Sequence, residues 1–82
     1  MSALAQAQMY HHIEPYLSEE ERVVMKRGRN LHGSSKSKNA KTLDYRHATG
    51  LETLFGWLYV NERHERLTEV FDEIQKRNQG ET

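Results

Sequence analysis

The chain has 82 residues, with 12 Lys plus Arg against 12 Asp plus Glu and no cysteine. The length bounds it to one small domain, and the missing thiols exclude a disulfide framework, a thiolate metal site and a cysteine nucleophile. The zero formal charge excludes little: residues 1–21 hold four acids and no base, 22–46 eight bases and one acid, and 47–82 four bases and seven acids, so a concentrated basic block stands between acidic flanks.

Only 35% of the residues are apolar, and the mean hydropathy is −0.95. A chain with so little core material is expected to be an oligomer. No apolar run approaches the roughly 18 residues of a membrane span, and the start, Met1-Ser2-Ala3-Leu4-Ala5-Gln6, lacks the n-region and h-region of a signal peptide. The expected location is the cytoplasm.

Periodicity and punctuation predict an all-α fold of about four helices. The first spans about Ala3 to Ile13, with Leu4, Ala5, Met9, His12 and Ile13 at helical spacing, and Pro15 ends it. The second opens at Ser18-Glu19-Glu20-Glu21, a capping-box pattern. It closes with Lys26, Arg27 and Arg29, and Gly28 is a candidate terminator. Residues from about Asn30 to Leu43 change to Gly, Ser, Lys and Asn, and are read as a mobile basic loop, long enough to be functional or disordered. A third helix is predicted from about Asp44 to Val60, with Ala48, Leu51, Phe55, Leu58 and Tyr59 on one face and Leu54 and Trp57 widening it. Gly50 and Gly56 inside it imply close approach of another helix. After a break at Asn61, a fourth helix is predicted over about Glu62 to Asn78, with Leu67, Val70, Phe71 and Ile74 as its stripe and a fraying tail at 79–82.

Three groups could carry chemistry. Glu52 falls one turn after Ala48 and one before Phe55 and Tyr59, at the edge of the apolar face. A carboxylate there is either a rim residue paired with a Lys or Arg, or a ligand of a hard divalent cation, which needs further oxygen ligands. The basic run Lys26-Arg27-Gly28-Arg29-Asn30, continued by Lys36, Lys38, Lys41 and Arg46, is either a solvated loop or a phosphate-binding surface. The adjacent His11 and His12 point about 100° apart on a helix and cannot share a metal. His32, His47 and His64 are scattered and read as core or surface residues, with His47 placed to lie near a bound phosphate.

The residues Arg27-Gly-Arg-Asn30 and Tyr45-Arg-His-Ala-Thr-Gly-Leu-Glu-Thr-Leu-Phe-Gly-Trp-Leu-Tyr59, with Ala5-Gln-Ala-Gln8 upstream and Glu65-Arg66-Leu67 downstream, resemble the C-terminal part of the Mini-ribonuclease III family. The resemblance runs through essentially the whole chain, making 1–82 a partial ribonuclease III-like domain. It implies a homodimeric, all-helical endoribonuclease that cleaves double-stranded or structured RNA with Mg²⁺ and matures large-subunit ribosomal RNA. Glu52 matches the family's metal-binding glutamate, and Thr49 falls where classical ribonuclease III has a second aspartate. The segment from Lys26 to Lys41 matches the loop that lies against RNA, which makes Lys26, Arg27, Arg29, Asn30, Lys36, Lys38 and Lys41 the expected RNA contacts. The family's Gly-Asp-Ala-Val-Tyr-Glu-like signature helix has no counterpart in the sequence. The expectation is therefore an incomplete chain, a truncation, a late start or half of a split domain, with one Glu52 per site, no whole metal site, and a partly uncovered apolar face around Phe55 and Trp57. The alternative is a non-catalytic helical module that binds RNA or a partner helix.

Overall fold

The computed structural model describes residues 2–31 and 40–80, and the side chains of these except at 40–42 and 78–80. Four α-helices follow in order: α1 (Ala3–Ile13), α2 (Glu19–Arg29), α3 (Ala40–Val60) and α4 (His64–Gly80), with a 3-10 turn at Glu14–Tyr16 after α1. The all-α expectation holds among the described residues. Local hydrogen bonds explain the starts of α1 and α2. The Ser2 hydroxyl accepts from the Ala5 amide at 3.1 Å, and the Ser18 hydroxyl accepts from the Glu21 amide at 3.2 Å while the Glu21 carboxylate accepts from the Ser18 amide at 2.8 Å. Pro15 sits inside the 3-10 turn, where its fixed φ is tolerated.

Three predicted boundaries are corrected. Residues 40–43 are already helical, so α3 begins before Asp44; Asn30 and Leu31 of the expected basic loop form the turn that closes α2, and residues 32–39, with His32, Lys36 and Lys38, lie outside the described residues. α4 begins at His64 rather than Glu62, because Glu62 takes a left-handed conformation with φ 58°. There the Arg63 amide donates to the Leu58 carbonyl at 2.8 Å and the Glu62 amide to the Tyr59 carbonyl at 3.0 Å, the paired bonds that close a Schellman-type helix end. At the other end α4 continues through Gly80 instead of fraying from Gln79.

The core gathers around α3, whose Leu51, Leu54 and Leu58 pack with Met9, Tyr10 and Ile13 of α1, Leu17, Met25 of α2, and Val70 and Ile74 of α4. Leu54 stands at the centre rather than widening the face. Tyr59, expected on that face, is exposed, as is Leu4 of the predicted α1 stripe. Tyr10 is the opposite case, fully buried although the stripe did not include it. Phe55 and Trp57 are partly buried against this cluster. Phe55 stacks on Phe71 at 4.7 Å between centroids, and Phe71 is still 45% exposed, so part of the face around Phe55 is uncovered as expected.

Two glycines set how closely the helices meet. A Cβ on Gly50 would lie 2.8 Å from the Met25 carbonyl oxygen and 2.9 Å from Cε2 of Tyr10, so α2 and α1 both press on α3 at that point. Gly28 is not a terminator. It is buried inside α2, which runs on to Arg29 with Asn30 as its C-cap, and a Cβ there would collide with the Thr53 side chain of α3, Cβ included, so that no rotamer relieves it. Gly56 has nothing within 4 Å, and the close approach predicted for it is absent.

Glu21 is the buried charged residue of the core, 3% exposed. Arg66 of α4 meets it with a two-pronged contact, Nε to Oε2 at 2.7 Å and a terminal nitrogen to Oε1 at 2.8 Å. Arg66 also donates to Glu69 at 3.0 Å and lies 4.7 Å from the Tyr16 ring centroid. The Arg66 hydrogen bonds hold the Glu21 carboxyl below its ordinary range against the opposing effect of burial, with the Ser18 amide adding to the effect. Arg66 is raised in turn. Lesser ties bind α1 to α4, His12 to Glu73 at 3.2 Å and Arg77 to Gln8 at 3.2 Å.

Two sets of outcomes follow, both read by urea denaturation. Gly56→Ala is expected to stabilise the chain by about 1 kcal/mol through helix propensity alone, whereas Gly28→Ala is expected to cost about 1–3 kcal/mol through overpacking. Arg66→Met leaves a buried carboxylate unpaired and is expected to cost about 3–5 kcal/mol at neutral pH. Because the folded Glu21 value is depressed, its stabilisation is complete above the unfolded value of about 4.3 and is lost as pH falls through the folded value. Stability should therefore drop more steeply below that point in the native chain than in Glu21→Gln.

Candidate functional site

Residues 45, 48, 49 and 52 recur at the spacing of one helix face, and this face of α3 forms one wall of an open cleft of about 720 Å³. The start of α1 forms the other wall, with Ser2, Leu4 and Gln6 facing Asp44, Thr49 and Glu52. Glu52 is exposed and makes no ion pair with a described residue, so the basic partner of the rim-pair reading is not found there. The Thr49 hydroxyl donates to the Tyr45 carbonyl at 2.9 Å, which commits its proton and leaves its lone pairs toward the cleft. Glu52 also lies at the edge of a second, apolar groove lined by Met9, Leu51, Phe55, Phe71 and Ile74.

Mg²⁺ demands near-octahedral oxygen ligands at about 2.0–2.1 Å. No group of three His, Asp or Glu side chains converges among the described residues. Asp44, the other acid in the cleft, stands eight residues from Glu52, about 12 Å along the helix axis, too far for both to take one ion directly. The residues present thus supply one carboxylate and do not make a metal site by themselves.

The bases gather elsewhere. Lys26 and Arg27 are exposed near the C-terminal end of α2, where cations suit the helix dipole, and Asn30 caps that end and accepts from Arg29 Nε at 3.3 Å. Lys41 is helical in α3, and its side chain lies outside the described set. Arg29 turns inward, half-buried, and with Asn30, Leu43, Arg46 and His47 lines a separate cleft of about 270 Å³ between the end of α2 and the start of α3. Glu52 does not line this cleft, so the described RNA contacts, at the end of α2, and the expected metal ligand, on α3, stand in separate clefts.

Histidines meet here as sequence order could not show. The His47 ring lies 4.6 Å from that of His11 and 4.6 Å from that of Tyr10, and its Nδ1 is 2.7 Å from the Leu43 carbonyl. A carbonyl accepts only, so Nδ1 carries a proton and Nε2 is left to other partners. Beneath them the Tyr10 hydroxyl is buried and makes no well-formed hydrogen bond. Burial pushes the phenol above its ordinary value, while the nearby Arg29 charge works in the opposite sense.

The sequence matches the Ribonuclease III domain family over residues 1–63. The chain belongs to the ribonuclease III family. Within it, the similar proteins carry the name Mini-ribonuclease 3: that of Brevibacillus brevis is 44% identical over the whole chain and 61% of its own length, and that of Clostridium tetani 42% identical over 99% of the chain and 58% of its length. A third, from Symbiobacterium thermophilum, is 44% identical over 85% of the chain and 54% of its length. The chain therefore spans between half and two thirds of the length of these three relatives. No solved structure matches it.

The buried phenol generates a direct check. Tyr10→Phe removes a desolvated hydroxyl that makes no well-formed hydrogen bond and is expected to raise stability by about 1 kcal/mol. Chemical denaturation in a buffer without polyvalent anions reads this, and a loss of stability would show that the hydroxyl is bonded.

Proposed function

We propose that this chain is the RNA-binding portion of a Mini-ribonuclease 3-type endoribonuclease, with Glu52 as one metal ligand. Lys26, Arg27, Arg29 and Asn30 would act as RNA contacts together with Lys36, Lys38 and Lys41. The 44% identity to the Brevibacillus brevis Mini-ribonuclease 3 over the whole chain carries this reading. The substrate is structured RNA, with the precursor of large-subunit ribosomal RNA as the natural one; the cofactor is Mg²⁺, the assembly a homodimer and the location the cytoplasm. When bound, a divalent cation supplies an activated water and stabilises the leaving oxygen of the phosphodiester. One carboxylate does not hold such an ion, so further oxygen ligands must come from outside the described residues, and the 82-residue chain alone binds RNA without cutting it.

A second reading, a non-catalytic RNA-binding module, draws on the same lone carboxylate. Joining to this chain the part of the Brevibacillus brevis relative that it does not match separates the two. The joined protein should cleave duplex RNA with Mg²⁺, and Glu52→Gln should lower the rate by about a hundredfold or more. Salt-dependent duplex binding with no cleavage by the joined protein would favour the module. Cleavage by the 82-residue chain alone, lost in Glu52→Ala, would refute the incomplete site.

A further inference from the structure

We propose that the cleft between the end of α2 and the start of α3 is a seat for a single backbone phosphate, formed by Arg29, Arg46 and the Nε2 edge of His47; the identity of the polyanion rests on the RNA reading above. Three observations converge on it. Arg29 is half-buried yet forms no ion pair with a carboxylate among the described residues. A guanidinium withdrawn from water without a counter-charge is costly, and an anion in the cleft would offset that cost. The Tyr10 hydroxyl, fully buried near Arg29 and behind the His47 ring, makes no well-formed hydrogen bond and carries no charge that would balance Arg29. His47, its Nδ1 engaged by the Leu43 carbonyl, keeps Nε2 as the ring atom able to donate to a ligand once protonated.

The surroundings define what the cleft accepts. On the α1 side stand Tyr10 and His11, with Glu14 acting on the phenol from the following turn. On α2 stands Arg29, and on α3 Arg46 and His47, while Asp44 lines the Glu52 cleft instead. Glu14 acts on the Tyr10 phenol, and the described lining of the cleft holds no Asp or Glu, so that lining is cationic. An anion seated between the two guanidiniums and the His47 ring would favour the protonated ring. Phosphate binding here is therefore linked to proton uptake by His47.

Two measurements on the full chain test the seat. In the first, sulfate, which does not itself titrate near neutrality, is added while the His47 ring is followed by NMR. The His47 signals should shift and its titration move to higher pH, and Arg29→Gln should abolish both responses. In the second, binding of an unreactive RNA duplex is measured against salt. Arg29→Gln and His47→Gln should each lower the slope of log K against log salt, the double variant by about 1, the loss of one phosphate contact. A His47 ring indifferent to sulfate in the unaltered chain overturns the seat even if duplex binding persists, in which case the RNA reading stands without it. Sulfate binding with no duplex affinity overturns the assignment to a nucleic-acid phosphate together with the RNA reading. Duplex binding with unchanged slopes in both variants overturns the seat alone.

Discussion

Helix α3 touches α2 at two places where one partner has no side chain, Gly28 under Thr53 and Gly50 under the Met25 carbonyl. The two glycines lie on opposite helices, so each backbone sinks toward the other and the pair is fixed in both separation and register. Much else follows from that contact. It brings the last turn of α2 beside the first turns of α3, which sets Arg29 against Arg46 and His47. The Tyr10 ring, wedged against Gly50, holds α1 in the same groove and thereby positions His11 against His47. A bulkier residue at either glycine would separate the groups that make the basic cleft before it disturbed Glu52, which lies on another face of the helix.

The charge distribution is organised by the same helices. α2 carries Glu19, Glu20 and Glu21 in its first turn and Lys26, Arg27 and Arg29 in its last, so acids and bases stand at opposite ends of an 11-residue helix about 16 Å long. The acidic end faces the connection before α4 and α4 itself, where Arg63 and Arg66 meet Glu20 and Glu21. The basic end is left toward the clefts. Within α2 the acids of the first turn thus tie the helix to the start of α4, while Lys26 and Arg27 of the last turn are exposed.

Legibility in the sequence followed the range of the interactions involved. The starts of α1 and α2 were readable because a cap is settled within four residues, and Glu52 could be placed at a rim by counting turns. Gly28 was misread as a stop because its reason is Thr53, on another helix. Leu54 shares a face with Leu51 and Leu58, but that it and Tyr10 become the fully buried residues depends on how the helices converge. The early start of α3 was hidden by residues without apolar periodicity. The meeting of His11 with His47 could not be read at all, because it exists only once α1 has packed on α3. The bond between Glu21 and Arg66 was half visible: the capping role is local, and the partner lies 45 positions away.

That double employment of Glu21 has a consequence for how the chain folds. One carboxylate uses its Oε1 to receive the Ser18 amide and both oxygens to receive Arg66, so the order of the first turn of α2 and the docking of α4 share a single group. Neither event is fully rewarded without the other, since an Arg66 that arrives before the cap is set meets a mobile partner across a long closed loop. The two ends of the chain are therefore coupled into one cooperative unit by a residue that, read locally, only starts a helix.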